Sequence, residues 1–189
     1  MSRSIRAELA VGVRARFLIL ITFSVLAVGC AREPSPLLDH DYTAWNPTTT
    51  AVLDFPVPGH GSGLRRIYAS TAVFETPLEP DGSITYPTGA TFVKEVYATA
   101  APEADAEPAM LLGMVKQPDH PQAHGDWVWI SRNPESGAET IFDDEFCVTC
   151  HANANESHPY GTGNPTEAYR DFVFHTPAVE LMAPEETPQ

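Results

Sequence analysis

The 189-residue chain carries 11 Lys+Arg against 25 Asp+Glu, with 18 prolines and three cysteines. A formal charge of −14 excludes nucleic acid as a partner, because phosphate binding needs a cationic footprint, and it excludes adhesion to anionic membranes through basic residues. The length suits one domain of about 100–200 residues, proline at nearly double its ordinary share of about 5% predicts a loop-rich fold, and three cysteines cannot all pair with one another.

The first segment reads as an export signal. Arg3, Arg6, Arg14 and Arg16 precede an uncharged apolar run from Phe17 to Val28, a charged n-region followed by a short h-region. Only 15 uncharged residues separate Arg16 from Arg32, too few for a spanning helix of about 20. The run ends in Leu26-Ala27-Val28-Gly29-Cys30, which resembles a bacterial lipoprotein processing site. That resemblance implies that Cys30 carries lipid and becomes the mature N-terminus, although Ala27 stands where a larger aliphatic residue is usual. Ordinary cleavage after Gly29 or Ala31 is the alternative. The expected organisation is a signal peptide at 1–29, an anchor and tether at 30–38, a folded domain at 39–176 and a disordered acidic tail at 177–189. Removing 1–29 leaves 7 basic against 24 acidic groups, a net charge of −17.

Beyond the tether, His40-Asp41-Tyr42 and the His60 loop (PGHGSG) read as polar loops. Strands are then predicted at Leu64–Phe74, Ala90–Ala98, Met110–Lys116 and Asp126–Ser131, each rich in β-branched, aromatic or aliphatic residues. Pro-Asp-Gly-Ser at 80–83, Pro-Asp at 118–119 and Asn-Pro-Glu-Ser-Gly at 133–137 supply turns between them. The acidic stretch 101–109 is a surface loop. Trp127 and Trp129 share a strand face and belong to the core, as do Met110 and Met114. His120 and His124 have metal-like spacing, but Pro118 and Pro121 oppose a helical site.

The two lysines of the chain are Lys94 and Lys116. By period-two alternation Lys94 shares its face with Phe92 and Val96, so it either snorkels at a sheet edge or points into a pocket. Lys116, beside Gln117-Pro118, is expected to keep a solvated tip.

The remaining cysteines stand in Cys147-Val148-Thr149-Cys150-His151, the C-x-x-C-H signature of c-type haem attachment. Thiols at i and i+3 lie on one side of a turn and can add to the two haem vinyls, which places His151 as the proximal iron ligand. A dithiol redox pair, a zinc site completed by His158, and a structural disulfide are the competing uses of these residues. The motif and the HANANES that follows are predicted as a short helix, and Glu167–Phe174 as another. His158 and His175 are candidates for packing near the haem, and the His40 and His60 loops, read first as polar loops, could instead cap the haem edge; Asp143-Asp144-Glu145 reads as a solvated turn that could attract a cationic redox partner. The expected fold is mainly β: an antiparallel sheet domain with a few peripheral helices and one covalent haem c near its C-terminal end.

The order Arg65-x-Ile67-Tyr68, then Gly89-Ala-Thr-Phe-Val-Lys-Glu-Val-Tyr97, then a Trp-containing strand, then the late C-x-x-C-H resembles the cytochrome P-460 family, to which cytochrome c′-beta is related. The resemblance covers roughly residues 40–176. It implies a largely antiparallel β-fold, often homodimeric, with the haem covered by the sheet and its face opposite His151 open to a small nitrogenous ligand. It also implies that Lys94 bonds covalently to a haem meso carbon and that Arg65 orients an N–O ligand; on alternation, Arg65 pairs with Ile67 and Arg66 with Tyr68. The glutamate of hydroxylamine-oxidising members has no counterpart, since no carboxylate lies between Met110 and Lys116, and Glu107 and Asp119 only flank the strand. Three functions follow as expectations: a lipid-anchored periplasmic hydroxylamine oxidoreductase passing electrons to a partner protein, a nitric oxide-binding module, or a six-coordinate electron carrier.

Overall fold

The computed structural model describes residues 36–38, 41–49, 52–55, 60, 63–98, 106–143 and 145–180. The chain divides into two units, Met1–Pro34 and Ser35–Gln189. The first, with Cys30 and the segment expected to be an export signal, lies outside the described residues; the second carries the fold.

Six antiparallel strands lie side by side in the order in which they occur in the chain: β1 (Asn46–Pro47), β2 (Arg65–Ala69), β3 (Thr91–Val96), β4 (Met110–Lys116), β5 (Trp127–Arg132) and β6 (Glu139–Ile141). The helices are single turns: α1 (Thr71–Phe74), α2 (Phe146–His151) and α3 (Pro177–Glu180), with 3₁₀ turns at Tyr42–Ala44 and Ala152–Asn155. Among the described residues no helix is long and apolar enough to cross a membrane. The expected antiparallel β domain is therefore present.

Alternation along the strands gives the sheet two apolar faces. One side collects Ala69, Phe92, Met114, Trp127 and Trp129 with Tyr86, Val73 and Val173. Tyr86, Phe92 and Trp127 meet there at ring separations of 5.4–6.0 Å, each well-placed pair worth about 0.5–1.5 kcal/mol beyond simple burial. The other side packs Val93, Leu111, Val115, Val128 and Ile130 beneath Leu38 and Tyr42. Gly113 permits this closeness, because a Cβ there would lie 2.3 Å from a Leu38 methyl. The Glu139 carboxylate accepts from the backbone N–H groups of Leu37 and Leu38 at 2.8 and 2.9 Å, fixing this strap. Buried Glu95 on the same face accepts from the hydroxyls of Tyr42 at 3.0 Å and Tyr97 at 2.7 Å.

Several local expectations need correction. The strand predicted to run to Phe74 ends at Ala69, and the chain turns into α1. The helix predicted over Glu167–Phe174 does not form. Glu167, Asp171 and Phe172 have φ of 58°, 49° and 68°, in the left-handed region that a right-handed helix cannot use. Their segment hydrogen-bonds to side chains instead. Asn155 Oδ1 accepts from the N–H groups of Arg170 at 2.8 Å and Phe172 at 3.3 Å, and buried Asn164 bonds both backbone groups of Ala168. Helix α3 carries order four residues into the stretch assigned to the tail; residues 181–189 lie outside the described residues.

Lys116 is the largest departure. It is 3% exposed, and its ammonium lies 2.7 Å from the fully buried carboxylate of Asp171 and 3.6 Å from Asp126, over the Trp127 ring at 5.1 Å. Asp171 also accepts from the indole N–H of Trp127, the hydroxyl of Tyr169 and the backbone N–H of Tyr86. Four donors on one carboxylate are what let a buried pair persist. Lys116→Met should therefore strand a buried carboxylate and cost about 3–5 kcal/mol, measured by urea denaturation, whereas an exposed lysine would cost next to nothing.

Candidate haem site

A cavity of about 620 Å³ opens between the sheet and the C-terminal segment, within the size range of cofactor pockets. Strands β2, β3, β4 and β5 supply Arg65, Ile67, Phe92, Lys94, Leu112, Met114 and Trp129. The opposite wall holds Cys147, Cys150 and His151 from α2, then His158, Phe174 and His175.

The strand register explains the first wall. Ile67, Lys94 and Leu112 are cross-strand neighbours, as are Phe92, Met114 and Trp129, so inward residues from four strands form two rows. Lys94 is in the third strand of six, and the edge-snorkelling alternative is thereby excluded. Burial, with some help from Arg65, pulls its amine down from 10.5 to about 7. Arg65 is 2% exposed and faces the cavity with Ile67, as alternation predicts. One guanidinium nitrogen donates to the Phe55 carbonyl, the group lies over the Phe55 ring, and its Nε and second terminal nitrogen are buried without a hydrogen-bond partner.

The motif forms α2, as predicted, with both cysteines on the cavity and not joined in a disulfide. His151 Nδ1 donates to the Phe172 carbonyl at 2.8 Å. That bond fixes the tautomer and leaves Nε2 as the basic nitrogen, the usual device for orienting a metal-binding imidazole. Burial lowers His151 from 6.5 to about 4, against the opposing pull of the Phe172 carbonyl, so the ring is neutral at neutral pH. Trp129 and Phe174 pack against it at 4.7 and 5.5 Å. The left-handed Asp171-Phe172 turn aims that carbonyl, and the Lys116–Asp171 pair holds the turn to the sheet.

His60 was expected in a polar loop, but it lines the cavity with Nδ1 2.6 Å from Lys94 Nζ. Burial, followed by Lys94, lowers it to about 3. His175 lines the cavity as anticipated; burial and then Arg65 bring it to about 4, and its Nδ1 has no partner. His158 stacks edge-on to Phe174 at 5.0 Å. Trp127 and Trp129 are buried core residues, and His124 lies 3.5 Å from Asp143 instead of joining His120. Among the described residues no group of three or more His, Cys, Asp or Glu is gathered for a metal ion, and none lining the cavity is a carboxylate.

A family model described as Cytochrome P460 matches residues 39–175. This chain belongs to the cytochrome P460 family. It is accordingly a c-type haem protein, and a search of curated proteins finds no match. The residues present fit the cofactor that cytochrome P460 membership implies: two thiols and an oriented imidazole face an apolar cavity of suitable size, and unpartnered donors on Arg65 and His175 await an anionic or electron-rich group.

The histidines give the protein an acid-sensitive stability. A base with a depressed folded-state pKa takes up its proton first in the unfolded chain, so stability falls as pH drops below 6.5 and levels only past the folded value. For His175 that window runs from 6.5 to about 4. Urea titrations across it should show falling stability, and His175→Leu should reduce the slope by about one proton.

Proposed function

We propose that the protein is a periplasmic mono-haem cytochrome that binds a small nitrogen species, hydroxylamine or nitric oxide, on the haem face opposite His151. One observation carries this reading: His151, its Nδ1 held by Phe172, shares a single apolar cavity with the two basic side chains Arg65 and Lys94. Cys147 and Cys150 would hold the haem through thioethers, and His151 would supply a nitrogen to its iron. When bound, the haem supplies the iron that takes the ligand and the electrons exchanged with an external partner protein.

Arg65 contributes hydrogen-bond donors to the N–O group. A guanidinium cannot give up its proton at working pH, so it orients and polarises without acting as a base. Lys94, with its amine brought down to about 7, can face the haem uncharged; an N–C bond from it to the macrocycle would replace one N–H and one C–H bond, release two protons and pass two electrons to the external electron acceptor. The apolar rows around it exclude water and strengthen both contacts. Arg65→Met should weaken ligand binding roughly 10- to 100-fold, the loss of a charged hydrogen bond of about 1.5–3 kcal/mol, measured by titration of the ferric protein.

Nitric oxide uptake without turnover is the second reading, favoured by the absence of a carboxylate among the described cavity residues. Oxidation of an N–H or O–H substrate calls for a base within hydrogen-bond reach; binding of nitric oxide does not. Stopped-flow mixing with hydroxylamine and an acceptor decides between them: haem reduction and turnover support oxidation, and an unchanged ferric spectrum leaves the binding module. Mass analysis of the digested protein tests Lys94, since a cross-link joins its peptide to Cys147–His151 and separate peptides refute it. The export signal and Cys30 support a lipid-anchored position on the periplasmic side, where haem c is attached; homodimerisation follows the family pattern.

A further inference from the structure

Lys94 carries its amine on a flexible four-carbon stem, and a free stem spreads the tip over many rotamers. Its cross-strand neighbours are Ile67 and Leu112, and Phe92 stands two residues away on the same face. All three line the cavity, and none of their side chains offers a hydrogen bond. His60 does. Its Nδ1 lies 2.6 Å from Lys94 Nζ. An amine and an ammonium can both donate there, which leaves the ring proton on Nε2.

The fold brings His60 to this place by closing a loop at its base. Leu53 and Arg65 exchange both backbone hydrogen bonds at 2.9 Å, and the Leu64 carbonyl accepts from the N–H of Tyr97 at 2.9 Å. Gly63 lies so close that a Cβ on it would be 1.9 Å from the Tyr97 carbonyl oxygen. The chain between Leu53 and Arg65 therefore starts and ends beside Arg65, next to β3. Both basic side chains of the sheet wall meet a partner from that loop. The Phe55 ring lies against the Arg65 guanidinium, and His60 meets the Lys94 amine.

The geometry points to His60 as the positioning residue of Lys94, holding one N–H of the amine so that the rest of the group is directed at the haem. This rests on the reading that Lys94 becomes joined to the macrocycle. An uncharged amine has two N–H bonds and a lone pair. One N–H stays on His60 Nδ1 throughout. The lone pair forms the N–C bond, and the second N–H and a macrocycle C–H are lost. Two protons are released, and two electrons pass to the external electron acceptor. Holding the tip replaces a search among rotamers by a single approach, the ordinary gain from orienting a reacting group.

The test compares haem-loaded full-length wild type with His60→Phe and His60→Gln. The first keeps a ring without an acceptor; the second keeps an acceptor oxygen without the ring. Mass analysis after digestion gives the share of the Cys147–His151 haem peptide that carries the Lys94 segment, with haem content measured beside it. In His60→Phe the joined share should fall about 10-fold at unchanged haem content, the factor that one good hydrogen bond supplies. In His60→Gln it should stay within about twofold of wild type. Should His60→Phe fold poorly, His60→Gly matured with and without added imidazole takes its place, and imidazole should restore the joined share. An unchanged share in His60→Phe overturns the proposal. A share that falls equally in His60→Gln, or that imidazole does not restore, assigns His60 a packing role only and overturns it too. Separate peptides in the wild type remove the cross-link reading and this inference together, whereas a joined wild type with an unaffected His60→Phe removes the inference alone.

Discussion

The site depends on a salt bridge that never touches it. Lys116 at the end of β4 and Asp171 in the C-terminal segment are both buried and 2.7 Å apart, and they join the sheet to a stretch of irregular backbone. Two consecutive left-handed residues, Asp171 and Phe172, cost of order 1–3 kcal/mol each and persist only where their surroundings over-determine them. Here the surroundings are Lys116, Trp127, Tyr169 and Tyr86 on the Asp171 carboxylate, and Asn155 on the Phe172 N–H. What the strain secures is the direction of one carbonyl, and that carbonyl sets the orientation of His151.

The second constraint is electrostatic. A chain with a large acidic excess keeps its carboxylates off the described cavity wall and gathers Arg65, Lys94 and four histidines there. Two effects favour the uncharged forms of Lys94, His60 and His175: burial first, and then repulsion from neighbouring cationic groups. The cavity is thus rich in nitrogen donors and poor in fixed positive charge, apart from Arg65, which cannot deprotonate. A neutral, electron-rich ligand meets few competing charges in such a space.

Much of this was readable beforehand, and the reasons differ by residue. The strands from Thr91 to Arg132 follow from side-chain alternation, because buried sheets reward it directly. Alternation grouped Arg65 with Ile67 and Lys94 with Phe92 but left Lys94 between a sheet edge and a pocket; the family resemblance turned both toward a haem, and the C-x-x-C-H motif gave its helix. Failures cluster where long-range contacts override local preference. Lys116 looked solvent-bound beside Pro118 because its partner is 55 residues away. The Glu167–Phe174 stretch has residues that suit a helix, yet side-chain acceptors from Asn155 and Asn164 take its N–H groups. His60 sits among glycines and prolines with no periodic signal, so only the packed fold brings it to Lys94. Strands β1 and β6, two and three residues long, carry too little pattern to register.

The strict neighbour-to-neighbour order of the strands also bears on how the molecule assembles. Each strand pairs with the next one made, so the sheet can grow as successive hairpins with modest loop-closure cost. Longer loops close later: 55 residues for Lys116 to Asp171, which holds the C-terminal wall of the cavity, and 101 for Leu38 to Glu139 on the far face of the sheet. A chain threaded through a membrane from its N-terminus would present the sheet wall before the cysteine motif emerges. Cofactor capture then becomes the docking of a late, short segment onto a template already in place.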